Sequence, residues 1–85
     1  MNLLELRNLG STIGDNTRML ILHELGSGPV SVGELASRIG RTSATTSFHV
    51  SRLLNVGLVR VRRSGRRTVV QRDYWTWRKV IQAFA

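Results

Sequence analysis

The chain has 85 residues, 13 of them basic and five acidic, for a formal charge of +8 and a sequence pI near 11.9. It contains no cysteine, which excludes disulfides, thiolate metal sites, iron–sulfur clusters and cysteine nucleophiles. Its apolar runs fall far short of the roughly 20 residues a membrane span requires, and no signal-peptide pattern opens it, so a cytoplasmic protein with no membrane partner is expected.

Twelve of the 13 basic residues are arginine. The guanidinium is a planar fork of donors that matches phosphate oxygens and the guanine edge, so the bias favours nucleic acid over a surface charged only for solubility. A domain of this size buries roughly 60–65% of its unfolded surface, which makes oligomerisation a natural supplement to its stability. No repeat, low-complexity segment or linker divides the chain, and residues 1–85 read as one domain.

In chain order, "NLLELRNLGSTIG" sets Leu3, Leu6, Leu9 and Ile13 three and four apart, predicting a short amphipathic helix weakened by Gly10. "DNTRMLILHELGSG" predicts a second helix, with Asp15 or Asn16 as N-cap, an apolar face of Met19, Leu20, Leu22 and Leu25, and Gly26 as its stop. After Pro29, Ser31 and Glu34 form an S-x-x-E capping box that opens a third helix from about Val32 to Ile39, closed by Gly40. Thr42 or Ser43 caps a fourth, "SATTSFHVSRLLNVG", which ends at Gly57. Two helices joined by a tight glycine-containing turn predict a helix-turn-helix. "LVRVRRSGRRTVVQR" then predicts a β-hairpin, and "DYWTWRKVIQAFA" a last helix from near Asp73. The expected fold is mainly α with a β-hairpin wing, a winged helix-turn-helix in the order α-α-α-α-β-β-α.

On the fourth helix, 100° per residue gathers Thr46, Val50, Leu53, Leu54 and Gly57 on a core side. Ala44, Thr45, Phe48, Ser51, Arg52 and Asn55 form the other side. Small and hydroxylic residues let a helix sit close to a groove, and Arg52 can reach phosphate or a base edge. Phe48 either meets thymine methyl groups or folds back under the wing or a neighbouring helix. In the hairpin, a two-residue loop at Ser64-Gly65 would set Arg63 opposite Arg66 and Arg62 opposite Arg67. Like charges facing across a strand pair are destabilising, so an anion outside the chain is expected to compensate.

The two ends carry apolar stripes too wide for one small core: Leu3, Leu4, Leu6, Leu9 and Ile13 at the start, and Tyr74, Trp77, Val80, Ile81 and Phe84, joined by Trp75, at the end. Large aromatics are enriched where subunits meet, so these stripes are candidate dimer contacts, against the alternative that they complete the monomer core.

The order of elements and several short motifs resemble the ArsR/SmtB family of dimeric winged helix-turn-helix repressors over roughly residues 10 to 72. "LGSTIGDNTRMLILHEL" is similar to the family's opening stretch, with Asp15, Thr17, Arg18, Ile21 and Leu22 in place, and "PVSVGELASRIG" to its third helix. "TSATTSFHVSRLLNVGLVRVRRSGRR" is similar to its recognition helix and wing, with Ser47, His49, Leu53, Gly57, Leu58, Val59 and the Arg-Arg-x-Gly-Arg-Arg turn in matching places. The resemblance implies a homodimer on an inverted repeat of double-stranded DNA, each fourth helix in the major groove and each wing along the adjacent backbone or minor groove. Arg62, Arg63, Arg66 and Arg67 would then meet phosphates that relieve their repulsion. The candidate DNA-binding set is Thr42, Ser43, Ala44, Thr45, Ser47, Phe48, His49, Ser51, Arg52, Arg62, Arg63, Arg66 and Arg67.

The family's metal-sensing members carry two cysteines where this chain has Ala36 and Arg38. A second sensor site uses carboxylate and histidine ligands on the last helix, and no histidine follows Asp73 here. His23 and His49 are the only imidazoles and lie on different helices, so no metal and no cofactor are expected. The acidic residues are scattered and no serine has an evident histidine base, which argues against an enzyme. The expected function is a sequence-specific DNA-binding repressor. The alternative is a winged-helix protein-interaction module in a transcription or assembly complex.

Overall fold

The structure, a computed structural model, describes residues 16–84. The expected opening helix with Leu3, Leu4, Leu6, Leu9 and Ile13 lies outside the described residues, as does Asp15. The elements are α1 (Asn16–Glu24) with a 3-10 turn (Leu25–Ser27), β1 (Val30–Ser31), α2 (Val32–Ile39), α3 (Ser43–Asn55), β2 (Val59–Ser64), β3 (Arg67–Arg72) and α4 (Tyr74–Phe84).

One apolar cluster holds them together. α1 and its following turn supply Ile21, Leu22 and Leu25, α2 supplies Leu35 and Ile39, and α3 supplies Val50 and Leu53. Val30, Leu58, Val59 and Val70 come from the sheet and its approach. Thr46, fully buried on α3, satisfies its hydroxyl by donating to Thr42 O at 2.8 Å. The expected face of α1 is corrected: Met19 and Leu20 are 44% and 42% exposed, while Ile21 is wholly buried. Met19 to Leu22 are four consecutive apolar residues, a run that periodicity cannot phase, and packing selects the later pair. Leu54 is also corrected. It is 46% exposed, because the buried arc of α3 is centred on Thr46, Val50 and Leu53 and leaves Leu54 about 70° to one side.

The sheet has three antiparallel strands in the order β1-β3-β2, so the hairpin is anchored by a strand that the sequence reading did not anticipate. β1 is two residues long, pairing Val30 with Val70 and Ser31 with Val69, too short to carry an alternation signal.

The hairpin register is also corrected. Ser64 pairs with Arg67, Arg63 with Thr68 and Arg62 with Val69, so the loop is Gly65-Arg66 and no two arginines face each other. Gly65 has φ 62° and, among the described residues, no non-glycine residue has positive φ, which is the pattern of a turn with its left-handed residue first. A one-residue shift in a hairpin changes every cross-strand pair. Here it exchanges two arginine–arginine pairs for a hydrogen bond from Arg63 Nη1 to Thr68 Oγ1 at 2.8 Å.

Candidate nucleic-acid interface

The α2–α3 unit is set by its caps. Ser31 Oγ accepts from Glu34 N at 3.2 Å and starts α2. At the other end Arg41 N donates to Ala36 O at 3.0 Å and Gly40 N to Ser37 O at 3.3 Å, with Gly40 at φ 69°. These paired bonds close the helix carbonyls and turn the chain sharply. Thr42 Oγ1 then accepts from Thr45 N at 3.1 Å and starts α3, with Gly40, Arg41 and Thr42 alone between the helices.

α3 buries Thr46, Val50 and Leu53, and its remaining surface is open. Ser43, Ala44, Thr45, Ser47, Phe48, Ser51 and Arg52 are all exposed, and His49 is half-buried. Thr42 is exposed as well, but its hydroxyl is spent on the cap and on Thr45 Oγ1 at 3.0 Å. Ser51 Oγ donates to Ser47 O at 3.0 Å. Phe48 is 55% exposed, so it does not fold under the wing. Its ring lies edge-on to His49 with centroids 5.3 Å apart, and the Arg52 guanidinium stands over it at 5.3 Å.

The start of α3, the start of α2 and one face of the wing enclose an open cleft of about 870 Å³. Ser43 and Ser47 line it from α3, Arg62, Arg66 and Arg67 from the wing, and Glu34 and Arg38 from α2. Strand alternation explains the grouping: Arg62 and Arg67 project on the same side of the hairpin, whereas Arg63 projects on the other and is not part of the cleft. Among the described residues no carboxylate pairs with Arg62, Arg66 or Arg67. Arg38 is a cleft residue that the sequence reading did not place there. Nothing in α2 alone signals it, since the cleft exists only once the wing packs beside that helix. Glu34 holds Arg38 Nε at 3.2 Å, and Glu24 lies 3.8 Å from Arg38 Nη1.

The base of the wing is tied into the core. Arg72 donates through Nε and Nη2 to Leu22 O, at 3.0 and 2.6 Å, and its guanidinium stands 5.0 Å over the Trp77 ring. This bond reaches the last turn of α1, where helix carbonyls lose their own partners. Trp77 is accordingly divided between the monomer core, against which it packs, and the surface. On the same helix Tyr74, Trp75 and Ile81 are 67%, 68% and 55% exposed. Val80 and Phe84 belong to α4, but their side chains lie outside the described set. Asp73 Oδ1 caps this helix by accepting from Thr76 N at 3.1 Å, and Oδ2 lies 3.7 Å from Arg60 Nε. Among the described residues no three histidine or carboxylate side chains cluster as a metal site would require, and no helix is long and apolar enough to cross a membrane.

Comparison with known proteins agrees with this geometry. Residues 13–62 match the family described as a helix-turn-helix domain. The chain is 38% identical over 53 residues to the HTH-type transcriptional regulator KmtR of Mycobacterium tuberculosis, a match covering 62% of this chain and 41% of that protein's length. Among solved structures, the homodimeric winged helix-turn-helix DNA-binding domain of a possible ArsR-family transcriptional regulator from Mycobacterium bovis superposes with a TM-score of 0.84. It is 26% identical, over 95% of this chain and 76% of that one. An ArsR-like transcriptional regulator from Rhodococcus sp. RHA1 gives a TM-score of 0.83 at 28% identity, over 94% and 76% of the two chains. The chain belongs to the helix-turn-helix domain family, as a winged helix-turn-helix protein of the ArsR/SmtB type.

Proposed function

We propose that this protein is a sequence-specific, double-stranded DNA-binding transcriptional repressor, acting in the cytoplasm as a homodimer on an inverted repeat. The observation that carries the reading is one cleft in which the serines of α3 face three wing arginines that, among the described residues, have no carboxylate partner. A phosphate chain running along that cleft meets guanidinium groups on one wall and hydroxyl groups on the other, while the exposed face of α3 enters the major groove beside it. Arg62, Arg66 and Arg67 hold backbone, and Ala44, Thr45, Phe48, Ser51 and Arg52 face the bases.

The homodimer is supported by α4, where Tyr74, Trp75 and Ile81 leave large apolar surface in water unless a second subunit covers it. The single domain of residues 1–85 pairs through its terminal helices in this reading. Twofold symmetry also sets two copies of α3 one helical turn of DNA apart, the spacing an inverted repeat presents. In this reading Asp73 caps α4 and faces Arg60.

Selection of bound fragments from random duplex DNA, with light scattering on the free protein, tests the proposal. A palindromic motif and a dimeric mass are expected. A monomer, or a pool that stays random, overturns it.

A further inference from the structure

Phe48 stands at the centre of the surface that α3 turns away from the core. Counting about 100° per residue, its direction lies roughly opposite the mean direction of Thr46, Val50 and Leu53, with Ala44, Ser51 and Asn55 within about 60° on one side and Arg52 and Thr45 within about 60° on the other. Whatever α3 enters therefore meets this ring first. A phenyl ring offers no hydrogen bond, and the thymine methyl is the apolar feature that a base edge presents in the major groove. Arg52 follows one helical turn later, and its guanidinium is held over the same ring at 5.3 Å. An arginine resting on an aromatic face keeps its donors free at its rim while losing freedom of its long stem, which suits a fork that must meet guanine O6 and N7 together.

We infer that Phe48 and Arg52 act as one reading unit for a thymine and a guanine in the same half-site, Phe48 on the thymine methyl and Arg52 on the guanine edge. The inference rests on the DNA-binding reading above and deepens it. One turn of helix advances about 5.4 Å and one base step about 3.4 Å, so the two bases lie within about two steps of each other. His49, edge-on to the same ring at 5.3 Å, bounds Phe48 on another side.

The test uses the whole chain and the duplex enriched from the random pool. Each thymine is replaced in turn by uracil, which removes only the methyl group, and each guanine by a deaza analogue lacking the N7 acceptor. One uracil position is expected to weaken binding by about three- to fivefold, the effect of losing one buried methyl contact. One deazaguanine position within two steps of it is expected to weaken binding by about tenfold or more. Phe48→Ala abolishes the uracil effect and Arg52→Ala the deazaguanine effect. Both side chains are exposed, so the variants fold. A tight duplex indifferent to uracil, or a uracil effect that persists in Phe48→Ala, overturns the reading unit and leaves DNA binding standing. Failure to enrich any duplex overturns both.

Discussion

The two ends of the wing hairpin use arginine in opposite ways. At the base, Arg72 is consumed by the protein: its donors meet Leu22 O, its face meets Trp77, and beside it Val59 and Val70 are buried. At the tip, Arg62, Arg66 and Arg67 are exposed around a turn and meet no carboxylate among the described residues. One stretch of sequence thus anchors itself at one end and offers unneutralised charge at the other. An arginine's role is set by what surrounds its fork, and neither residue type nor position in the strand distinguishes the two.

The contrast breaks most sharply if the tip is reversed. Changing Arg62, Arg66 and Arg67 to glutamate should lower duplex affinity by about a thousandfold or more at low salt, for every DNA sequence alike. It should also flatten the dependence of log affinity on log salt, since each lost phosphate contact removes about 0.9 from that slope. Melting temperature should stay close to that of the parent, because the reversal keeps three like charges on one turn and all three side chains are exposed. Gel-shift titrations over a salt series measure the first effect and thermal melts the second. Affinity that survives the reversal would sink the assignment of the tip to phosphate.

Arg72→Met makes the converse change. Methionine keeps an apolar side chain of similar length, but the guanidinium over Trp77 is lost and Leu22 O loses its donor, and an unsatisfied acceptor in a part-buried site costs about 1–3 kcal/mol. Stability in urea should fall by that amount, while the folded fraction binds DNA within about twofold of the parent. If stability is unchanged and DNA affinity collapses instead, Arg72 belongs with the tip.

The same contrast explains what could be read from the chain. Caps and stops were legible because they are local: Ser31 and Thr42 accept the bonds their spacing implies, and Gly40 takes the left-handed conformation. α2 runs from Val32 to Ile39 as the capping box and the closing glycine indicate. What depended on contacts between distant segments was not legible. The phase of Met19 to Leu22 is chosen by the facing helices, β1 exists only because β3 lies beside it, and Arg38 joins the cleft only when the wing is in place. The hairpin register turned on a single residue, with glycine taking the first loop position and not the second. Of the candidate site, the exposed face of α3 followed from helical periodicity. The separation of Arg63 from Arg62, Arg66 and Arg67 required the register.

Gly65 sharpens the comparison at the turn itself. Alanine there must adopt φ near 62°, a strained conformation for any side-chain-bearing residue, although nothing lies within 4 Å to obstruct its Cβ. The cost is about 1 kcal/mol, from backbone alone. Because the tip packs on no core residue, the loss should appear as faster amide exchange from Ser64 to Arg67, with little change in the global melt.

The smallest effect concerns the carboxylate that shares the cleft with the tip. Glu34 binds Arg38 at 3.2 Å, yet both side chains are well exposed, so the pair contributes only a few tenths of a kcal/mol to stability. The cap at Ser31 uses the Glu34 backbone N–H and survives its replacement. Glu34→Gln should therefore leave the melt nearly unchanged while removing one negative charge from the space proposed to receive phosphate. A unit charge about 10 Å from a phosphate in water is worth about 0.4 kcal/mol, so duplex affinity should rise about twofold at low salt. The gain should fade as the Debye length contracts to about 8 Å near physiological ionic strength. A gain that persists at high salt points to a freed Arg38 bonding directly to DNA, and a loss of affinity points to Glu34 itself accepting from a base. Only the salt-sensitive gain matches a cleft whose walls differ in charge.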